Sequence, residues 1–270
     1  MDTEAMKSGT RKGIERSLPW ITTPLLLLLL VVIWQIYVTR TQISAFILPR
    51  PAAVALAWLD LLSTPRAWAD LFVTLYETLF GFVWALLFGI VLGVLLGRLR
   101  WLEITLNPFI VAIQVIPKVA FVPLFVVWFG FGMTSKVIVA AVLAFFPILT
   151  NTILGVKSID SGHRDVMTSL TASRLAIFRR LELPSSLPYI LTGMEVGIVL
   201  AVIGAIVGEY LGGDSGLGYL LISKMNAYET DGLFAVMIQM TLLGFALNFG
   251  IGVLRRLLIP WHSSVGKEAN

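Results

Sequence analysis

Residues 157–188 have the sequence KSIDSGHRDVMTSLTASRLAIFRRLELPSSLP, and this stretch decides how the rest of the chain is arranged. It is the longest charged and hydroxyl-rich segment of an otherwise mostly apolar chain, and apolar segments of membrane-spanning length lie on both sides of it. A charged side chain at the centre of a bilayer costs about 3 kcal/mol. Six residues of the stretch would carry that cost: Arg164, Asp165, Arg174, Arg179, Arg180 and Glu182. The segment therefore protrudes from the membrane.

The composition is that of a helical protein with several membrane spans. Of the 270 residues, 57% are hydrophobic and 13% are charged, and the mean hydropathy is +0.89. A soluble domain carries about 25% charged residues, and a β-barrel shows short alternating segments rather than long apolar runs. The net charge of +4 does not indicate nucleic-acid binding, because the basic residues fall in the gaps between apolar segments, as the positive-inside rule requires.

Residue counts exclude several kinds of reactive site. The sequence has no cysteine, which excludes disulfides, thiolate metal sites and cysteine catalysis. Its two histidines, His163 and His262, are far apart in sequence, so we expect neither a histidine metal site nor a charge relay.

Six apolar segments can cross a bilayer core of about 30 Å. They cover residues 17–39, 71–97, 104–129, 137–156, 189–211 and 233–254. We therefore predict an all-α membrane protein with six transmembrane helices and both termini in the cytoplasm. The corresponding regions are a cytoplasmic tail at 1–16, a first helix with an outer amphipathic segment at 17–70, a core of five helices at 71–256 and a cytoplasmic tail at 257–270.

The first span has a rival interpretation as a secretory signal peptide. Against it, the uncharged run at 17–39 is longer than a usual signal-peptide core, and no clear small-x-small cleavage site follows. The distribution of basic residues orients the chain, because the segments assigned to the cytoplasm hold 14 of the 20 Lys and Arg residues. This orientation places residues 157–188 in the cytoplasm and Lys136 in an outer turn.

Two spans carry residues that are unusual for a simple membrane anchor. The second span contains closely spaced glycines that let a neighbouring helix approach, namely Gly81, Gly89, Gly93 and Gly97. The third span is interrupted by Pro108, Pro117 and Pro123. Such a helix is tolerated where neighbours or cavity water satisfy the freed carbonyl groups, so we expect it at the protein interior or along a path.

Residues 157–188 are predicted to form two short helices joined by a turn. Asp160 or Ser161 can cap the first helix, and Ser173 can cap the second. Leu183-Pro184 should end the second helix, because the residue before a proline avoids the α region. This elbow presents a small apolar knob amid positive charge, which suits a groove on a partner protein. A solvated loop with ordinary inside-positive charge is the alternative.

The same stretch resembles the signature loop of ABC importer membrane subunits, E-A-A-x3-G-x9-I-x-L-P. The spacing places Asp165, Val166 and Met167 on E-A-A, Thr171 on the glycine, Leu181 on the isoleucine and Leu183-Pro184 on L-P. Threonine adopts a left-handed turn less cheaply than glycine, so we expect a reshaped turn at Thr171. The residues that the resemblance assigns to coupling are Asp165, Val166, Met167, Leu170, Thr171, Arg174, Leu183 and Pro184.

The resemblance extends over roughly residues 70–256 and is to the nitrate/sulfonate/taurine-type branch of these permeases. Segments such as IPKVAFVPLFVVWFGFG, LPSSLPYILTGMEVG and GEYLGGDSGLGYLL carry it. It implies a type I ABC importer permease fold with cytoplasmic coupling helices, in the bacterial inner membrane. The implied partners are a second copy of the chain, two cytoplasmic ATP-binding subunits and an extracytoplasmic substrate-binding protein. The chain has no G-x4-G-K-[ST] element. We therefore expect that it is not an enzyme, binds no cofactor itself, and leaves ATP and Mg²⁺ to its partners.

Two charged residues lie at membrane depth and are expected to approach each other. A helical rise of about 1.5 Å per residue places Lys118 and Glu77 each about 21 Å from the inner face. They either form a buried ion pair that fixes helix register, or Lys118 lines the path and attracts an anionic substrate. Gln114 and Glu195 are the further path candidates. Glu195 could instead pair with Arg98 or Arg100.

Other polar and aromatic residues have two possible roles. Glu209, near the outer end of its span, should contact a loop backbone or the binding protein. The aromatic residues could line a path for a heterocyclic compound or pack against lipid and helices. They are Trp84, Trp128, Phe121, Phe125, Phe129, Phe145 and Phe146.

The predicted function is the translocation subunit of an ATP-driven, binding-protein-dependent importer of a small solute. Residues 157–188 would couple ATP hydrolysis to alternating access, and Lys118 favours an anion such as nitrate, a sulfonate, taurine or a carboxylate. A neutral heterocycle such as a pyrimidine precursor is the alternative substrate. A secondary transporter would predict inverted repeats, and an intramembrane enzyme would need a convergent reactive set. The sequence supports neither.

Overall fold

The computed structural model describes residues 2–261, with side chains from Thr22 onward. Within that range the chain is helical and contains no strand. The α-helices are α1 (Asp2–Thr41), α2 (Pro51–Ser63), α3 (Pro65–Arg98), α4 (Arg100–Val115), α5 (Val122–Phe129), α6 (Met133–Lys157), α7 (Ser161–Ser169), α8 (Arg174–Ile177), α9 (Leu183–Gly212), α10 (Leu217–Asn226) and α11 (Thr230–Leu258). The predicted tail at 1–16 and the end of the tail at 257–270 lie outside the described side chains.

Five of the predicted spans are helices that are long and apolar enough to cross a membrane. Their candidate segments are Thr22–Thr41, Pro65–Arg98, Met133–Lys157, Arg174–Gly212 and Thr230–Leu258. The all-α prediction is therefore confirmed. The short apolar helix expected between the first two spans is α2.

The third predicted span is interrupted, as its prolines indicated, and divides into α4 and α5 with a bend of 83° between them; counted as one broken span, this pair brings the described candidate spans to six. The break lies at Ile116, whose ψ of 131° is extended, and at Pro117. Proline has no N–H to donate and pushes the preceding residue out of the α region. The chain resumes in a 3₁₀ turn at Lys118–Phe121, and Pro123 then occupies the first turn of α5, where a missing N–H is harmless.

Glycines of α3 form the contact surface with α6; the sequence predicted the close approach of a helix but not which helix it is. A Cβ at Gly81 would lie 2.5 Å from Ala140 Cβ, and a Cβ at Gly93 would lie 2.5 Å from Thr152 Cβ. No side chain larger than hydrogen fits at these positions without moving the neighbouring helix. The two helices therefore pack backbone to backbone along their length.

Helix α6 forms the centre of the core and also packs against α9. The fully buried residues at this seam are small or branched apolar side chains, including Ala140, Ala144, Ile148 and Ala201. Val122 and Val126 of α5 pack into a neighbouring cluster with Val139. Helix α4 has no buried residue, so α5 is the half of the broken span that belongs to the core.

The chain divides into two compact units. One comprises residues 1–63 and 224–235, where the rings of Trp34 and Phe234 lie 5.8 Å apart and the Thr230 hydroxyl donates to the Phe46 carbonyl at 3.0 Å. The other comprises residues 64–223 and 236–270 and holds the α3–α6–α9 core together with every site considered below.

Candidate coupling site and membrane-embedded polar residues

The protruding segment, residues 157–188, is called the coupling loop from here on, and its first helix begins as predicted. Asp160 is the cap of α7, and its carboxylate accepts a hydrogen bond from the Gly162 N–H at 2.6 Å. Ser173 caps α8 and accepts from the Ala176 N–H at 3.3 Å. Both caps use a side-chain oxygen to satisfy an N–H that has no partner within the helix.

The turn between these helices keeps the form that a glycine would give it, although a threonine occupies the position. Thr171 has φ of 55°, in the left-handed region. Its N–H donates to the Thr168 carbonyl at 2.9 Å, and the Ala172 N–H donates to the Met167 carbonyl at 3.0 Å. This pair of bonds is the Schellman motif that commonly ends helices with a glycine. The expected reshaping at Thr171 is therefore wrong.

The second helix of the coupling loop does not end at Leu183-Pro184 as predicted. Leu183 is helical, with φ of −64° and ψ of −50°, and Pro184 lies in the first turn of α9. A π-helical turn at Phe178–Glu182 joins α8 to α9, so the chain runs helically from Arg174 into the membrane span. The wider turn changes the hydrogen-bond register before the proline, which is then tolerated at the start of α9.

The elbow exposes the apolar side chains that the sequence placed on it. Val166 is 59% exposed and Leu170 is 71% exposed, both on α7 or its end. Leu175 of α8 is also largely exposed, whereas Phe178 and Leu181 are half-buried. Asp165 and Arg174 are exposed beside them. The loop thus exposes Val166 and Leu170, which we call the apolar knobs, with charged side chains beside them.

Ion pairs join the base of the coupling loop to the ends of other helices. Glu182 pairs with Arg98 at the end of α3 and with Arg164 of α7, the latter at 2.9 Å. Arg98 also lies over the Phe178 ring, 5.2 Å from its centroid. Lys157, at the end of α6, pairs with Glu103 of α4. The predicted pairing of Glu195 with Arg98 or Arg100 is wrong, since Glu195 is held by Arg255 of α11 at 2.9 Å.

Lys118 and Glu77 do not meet within the chain. Lys118 Nζ lies 4.9 Å from the centroid of the Phe146 ring and donates to the Gln114 carbonyl at 3.2 Å. Glu77 instead lies 3.6 Å from Lys136 Nζ. Lys136 and Phe146 are ten residues apart on α6, or about 15 Å along it. The two charges therefore differ in depth, because the depth estimate assumed that the third span is straight.

Lys136 is a residue whose role the sequence analysis missed. It is 2% exposed and lies between Glu77 and Asp214, whose Oδ1 is 3.8 Å away. We had placed it in an outer turn, but α6 begins at Met133, four residues earlier than predicted, so Lys136 falls inside the helix. The missed signal is Gly132, the cap residue directly before that start.

Three side chains hold the loop before α10, and we call Asp70, Thr74 and Glu209 the outer clamp. Asp70 accepts from the Gly216 N–H, Thr74 from the Leu217 N–H, and Glu209 from the Gly218 N–H, at 2.9, 2.8 and 2.7 Å. The Thr74 hydroxyl in turn donates to Glu209 at 2.6 Å. All three clamp residues are buried. The expected contact of Glu209 with a loop backbone is confirmed.

The outer clamp also explains the glycines of the segment GGDSGLG. Gly216 has φ of 98°, and a Cβ there would lie 2.1 Å from a Glu209 carboxylate oxygen. A Cβ at Gly218 would lie 2.4 Å from the Ile206 carbonyl. These glycines let the backbone reach the carboxylate, so the segment is a closely held turn and not a phosphate-binding loop.

The aromatic residues named from the sequence separate into two groups. Phe121, Phe125, Trp128 and Phe129 contact one another along α5 and its approach. Trp84, Phe145 and Phe146 instead line a cavity of about 700 Å³ together with Phe88 of α3 and Ile113 of α4. We call this cavity the aromatic groove.

The fold of the described residues resembles that of solved membrane transporters. Solved structures of the MetNI methionine ABC transporter in inward-facing conformations support this fold. One has a TM-score of 0.62 at 20% identity and covers 70% of this chain and 94% of its own chain.

The chain belongs to the family described as binding-protein-dependent transport system inner membrane component, whose model matches residues 85–263. It is therefore the multi-pass inner-membrane permease subunit of an ABC importer, which operates with ATP-binding subunits and a substrate-binding protein. ATP hydrolysis lies in separate subunits, so the chain is not itself an enzyme.

Relatives with several different names match most of the chain. The riboflavin transport system permease protein RibX of Chloroflexus aurantiacus is 42% identical over 91% of this chain and 92% of its own. The formylaminopyrimidine transport permease protein ThiX of Halalkalibacterium halodurans is 36% identical over 92% and 99%. The putative aliphatic sulfonates transport permease protein SsuC of Escherichia coli is 32% identical over 95% and 96%. The predicted sulfonate-type family is confirmed, and it includes permeases named for heterocycles.

Proposed function

We propose that this permease works as a homodimer and that each copy engages one ATP-binding subunit through the apolar knobs of its coupling loop. The observation that carries this proposal is the exposure of Val166 and Leu170 on a short helix that is capped at both ends. Apolar side chains of this size are rarely presented to water on a rigid protrusion unless a partner covers them. Asp165 and Arg174 border the knobs and would set the orientation of docking.

The test replaces the apolar knobs and leaves the helix in place. We expect that the double substitution Val166→Asp and Leu170→Asp abolishes co-purification of the ATP-binding subunit, because two buried contacts become charged. Thr168→Asp, on the same helix and equally exposed, is the matched control and should retain the partner. If the double variant still retains it, docking lies elsewhere. The mass of the intact complex separately reports the number of permease copies.

The remaining path candidates divide into two roles. Lys118 and Gln114 lie at the break between α4 and α5 and are joined to each other, so we assign them to the path. Glu77 and Glu195 each have a cationic partner in the chain, and we assign them a role in holding helices together. Broken helices with free carbonyl groups are tolerated in membranes where they line a cavity.

The substrate class that the relatives favour is a planar heterocycle rather than a small anion. The relatives named for riboflavin and formylaminopyrimidine are 42% and 36% identical, above the 32% of the sulfonate relative. Thermal-shift screening of the partner binding protein tests this directly. Stabilisation by riboflavin or a pyrimidine supports the heterocycle, and stabilisation by taurine or nitrate alone contradicts it.

A further inference from the structure

The aromatic groove has walls from three helices. Trp84 and Phe88, one helical turn apart, belong to α3; Phe145 and Phe146 belong to α6; and Ile113 belongs to α4. The floor is the seam between α3 and α6, where Gly81 and Gly89 bring the two backbones together. The groove is therefore built on the most closely packed part of the bundle, and its floor cannot readily collapse.

The chemistry of the lining selects against small hydrated anions. Apart from the hydroxyl of Thr134 and the indole N–H of Trp84, the lining side chains are apolar. Nitrate or a sulfonate would lose its hydration there and find few donors in exchange, which costs several kcal/mol. The volume of about 700 Å³ lies within the range of ligand cavities, about 300–1,000 Å³.

The groove offers flat aromatic surfaces to a ligand. Trp84 and Phe88 have ring planes only 17° apart, with centroids 5.7 Å apart. Phe145 and Phe146 meet at 81°, with centroids 5.1 Å apart, so they present one ring face and one ring edge. Heteroaromatic rings bind to such surfaces by stacking.

One cationic group stands beside this apolar surface. Lys118 Nζ lies over the Phe146 ring and donates a hydrogen bond to the Gln114 carbonyl. An ammonium has three donors, so it can also donate to ring nitrogens or exocyclic oxygens of a solute lying on Phe146. The break in the span at Ile116 and Pro117, directly before Lys118, brings backbone carbonyl groups to the same place.

We propose that the aromatic groove is a transient binding site for a planar heteroaromatic solute, which stacks on Trp84 and accepts a hydrogen bond from Lys118. This rests on the proposed function, because it assumes that the solute crosses the membrane through this chain. The other possible occupants are a lipid acyl chain and a second copy of the chain. Neither would make use of the ammonium that lies over the Phe146 ring.

The first experiment uses riboflavin as a fluorescent probe with the assembled transporter in lipid nanodiscs. Stacking on an indole quenches flavin emission by electron transfer, so we expect saturable quenching by the unmodified transporter. Trp84→Leu should weaken riboflavin binding about tenfold. Trp84→Phe should keep the affinity within about threefold but lose most of the quenching, since a phenyl ring still stacks. A change that merely disturbed the fold would not separate affinity from quenching in this way.

The control for the first experiment is Trp128→Leu. Trp128 is exposed like Trp84, but it lies on α5 and contacts Phe125 outside the groove. The Trp128→Leu transporter should bind riboflavin and quench its emission as the unmodified transporter does. Equal effects of Trp84→Leu and Trp128→Leu, or no saturable quenching by the unmodified transporter, would overturn the proposal.

A second experiment identifies what covers the groove. Because the sequence has no cysteine, Phe88→Cys introduces a single thiol. We expect a membrane-impermeant maleimide to modify this thiol in the assembled transporter and riboflavin to slow the modification. A disulfide between two copies would place the partner in the groove, and complete resistance to the reagent would place lipid there. Either result would overturn the proposal.

Failure of this proposal can be told apart from failure of the proposed function. Co-purification of the ATP-binding subunit and ATP-dependent uptake test the permease role and do not depend on Trp84. A transporter that assembles and imports, but whose groove neither quenches riboflavin nor is protected by it, retains the proposed coupling and loses only the groove.

Discussion

Thr171 holds a left-handed backbone conformation at the position that ends α7. An L-residue with a branched Cβ is strained there by about 1–2 kcal/mol relative to the right-handed region. The two Schellman hydrogen bonds and the cap of α8 at Ser173 hold the turn in this form despite the strain. The turn of the coupling loop therefore carries a small backbone strain that a substitution at Thr171 can relieve.

We predict that Thr171→Gly raises the stability of the permease by up to about 1 kcal/mol, because glycine adopts this conformation without a steric cost. Thr168→Gly is the matched control, since Thr168 lies within α7 and glycine there should destabilise by about 0.3 kcal/mol. Thermal unfolding in detergent measures both. The same sign for the two variants would contradict the assigned strain.

The side chains at the helix caps and in the ion pairs show which contacts could be predicted from the sequence and which could not. The caps at Asp160 and Ser173 were predicted because capping depends on a few neighbouring residues. The partner of Glu77 was not predicted, because the contact depends on where α6 begins and on the distance between α3 and α6. The predicted pair with Lys118 required a straight third span, and one extended residue at Ile116 was enough to invalidate it.

The contact between α3 and α6 is the element-scale feature that positions the aromatic groove. Glycine spacing predicted the close approach of a helix to α3 but not which helix it is, since small residues at regular helical spacing have one main use in a membrane helix. The bend at Pro117 was predicted only as a perturbation. Three prolines occur in the third span, yet α4 runs through Pro108 without a break. The surroundings decide which proline breaks the helix.

We predict that Gly93→Ala destabilises the permease by about 1–3 kcal/mol, since the added methyl group would lie 2.5 Å from Thr152 Cβ. Gly250→Ala in α11 is the control. A Cβ at that position meets nothing within 4 Å, and alanine should stabilise the helix by about 0.5–1 kcal/mol. Denaturation of the purified permease distinguishes them. Equal stability of the two variants would mean that α3 and α6 can separate at little cost.

At the scale of the whole molecule, Glu182 joins the coupling loop, where we propose that the ATP-binding subunit docks, to the end of α3. It contacts Arg98 of α3 and Arg164 of α7, and both arginines are partly exposed. Exposed ion pairs contribute little stability, about 0–1 kcal/mol. Their position between the coupling loop and α3 suits them to the transmission of movement rather than to folding.

We predict that Glu182→Gln leaves the thermal stability within about 1 kcal/mol of the unmodified permease but lowers solute uptake per ATP hydrolysed. Proteoliposomes containing the complete importer measure both rates. Glu229→Gln, which removes a similar exposed pair with Lys224, should leave the ratio unchanged. An unaltered ratio in Glu182→Gln would exclude the ion pairs from coupling.

The outer clamp gives the bundle unequal stiffness along its length. At one end of α9, buried carboxylates and a hydroxyl fix three consecutive amides, whereas directly before its other end Glu182 pairs with two partly exposed arginines. Helix α9 has 30 residues, a rod of about 45 Å. Because α9 also packs closely against α6 as far as Ser186 and Gly155, the two helices would turn together, as a lever whose fulcrum lies near the clamped tip. A push from a partner on the coupling loop would then sweep a wide arc at the inner end while the outer end scarcely shifts.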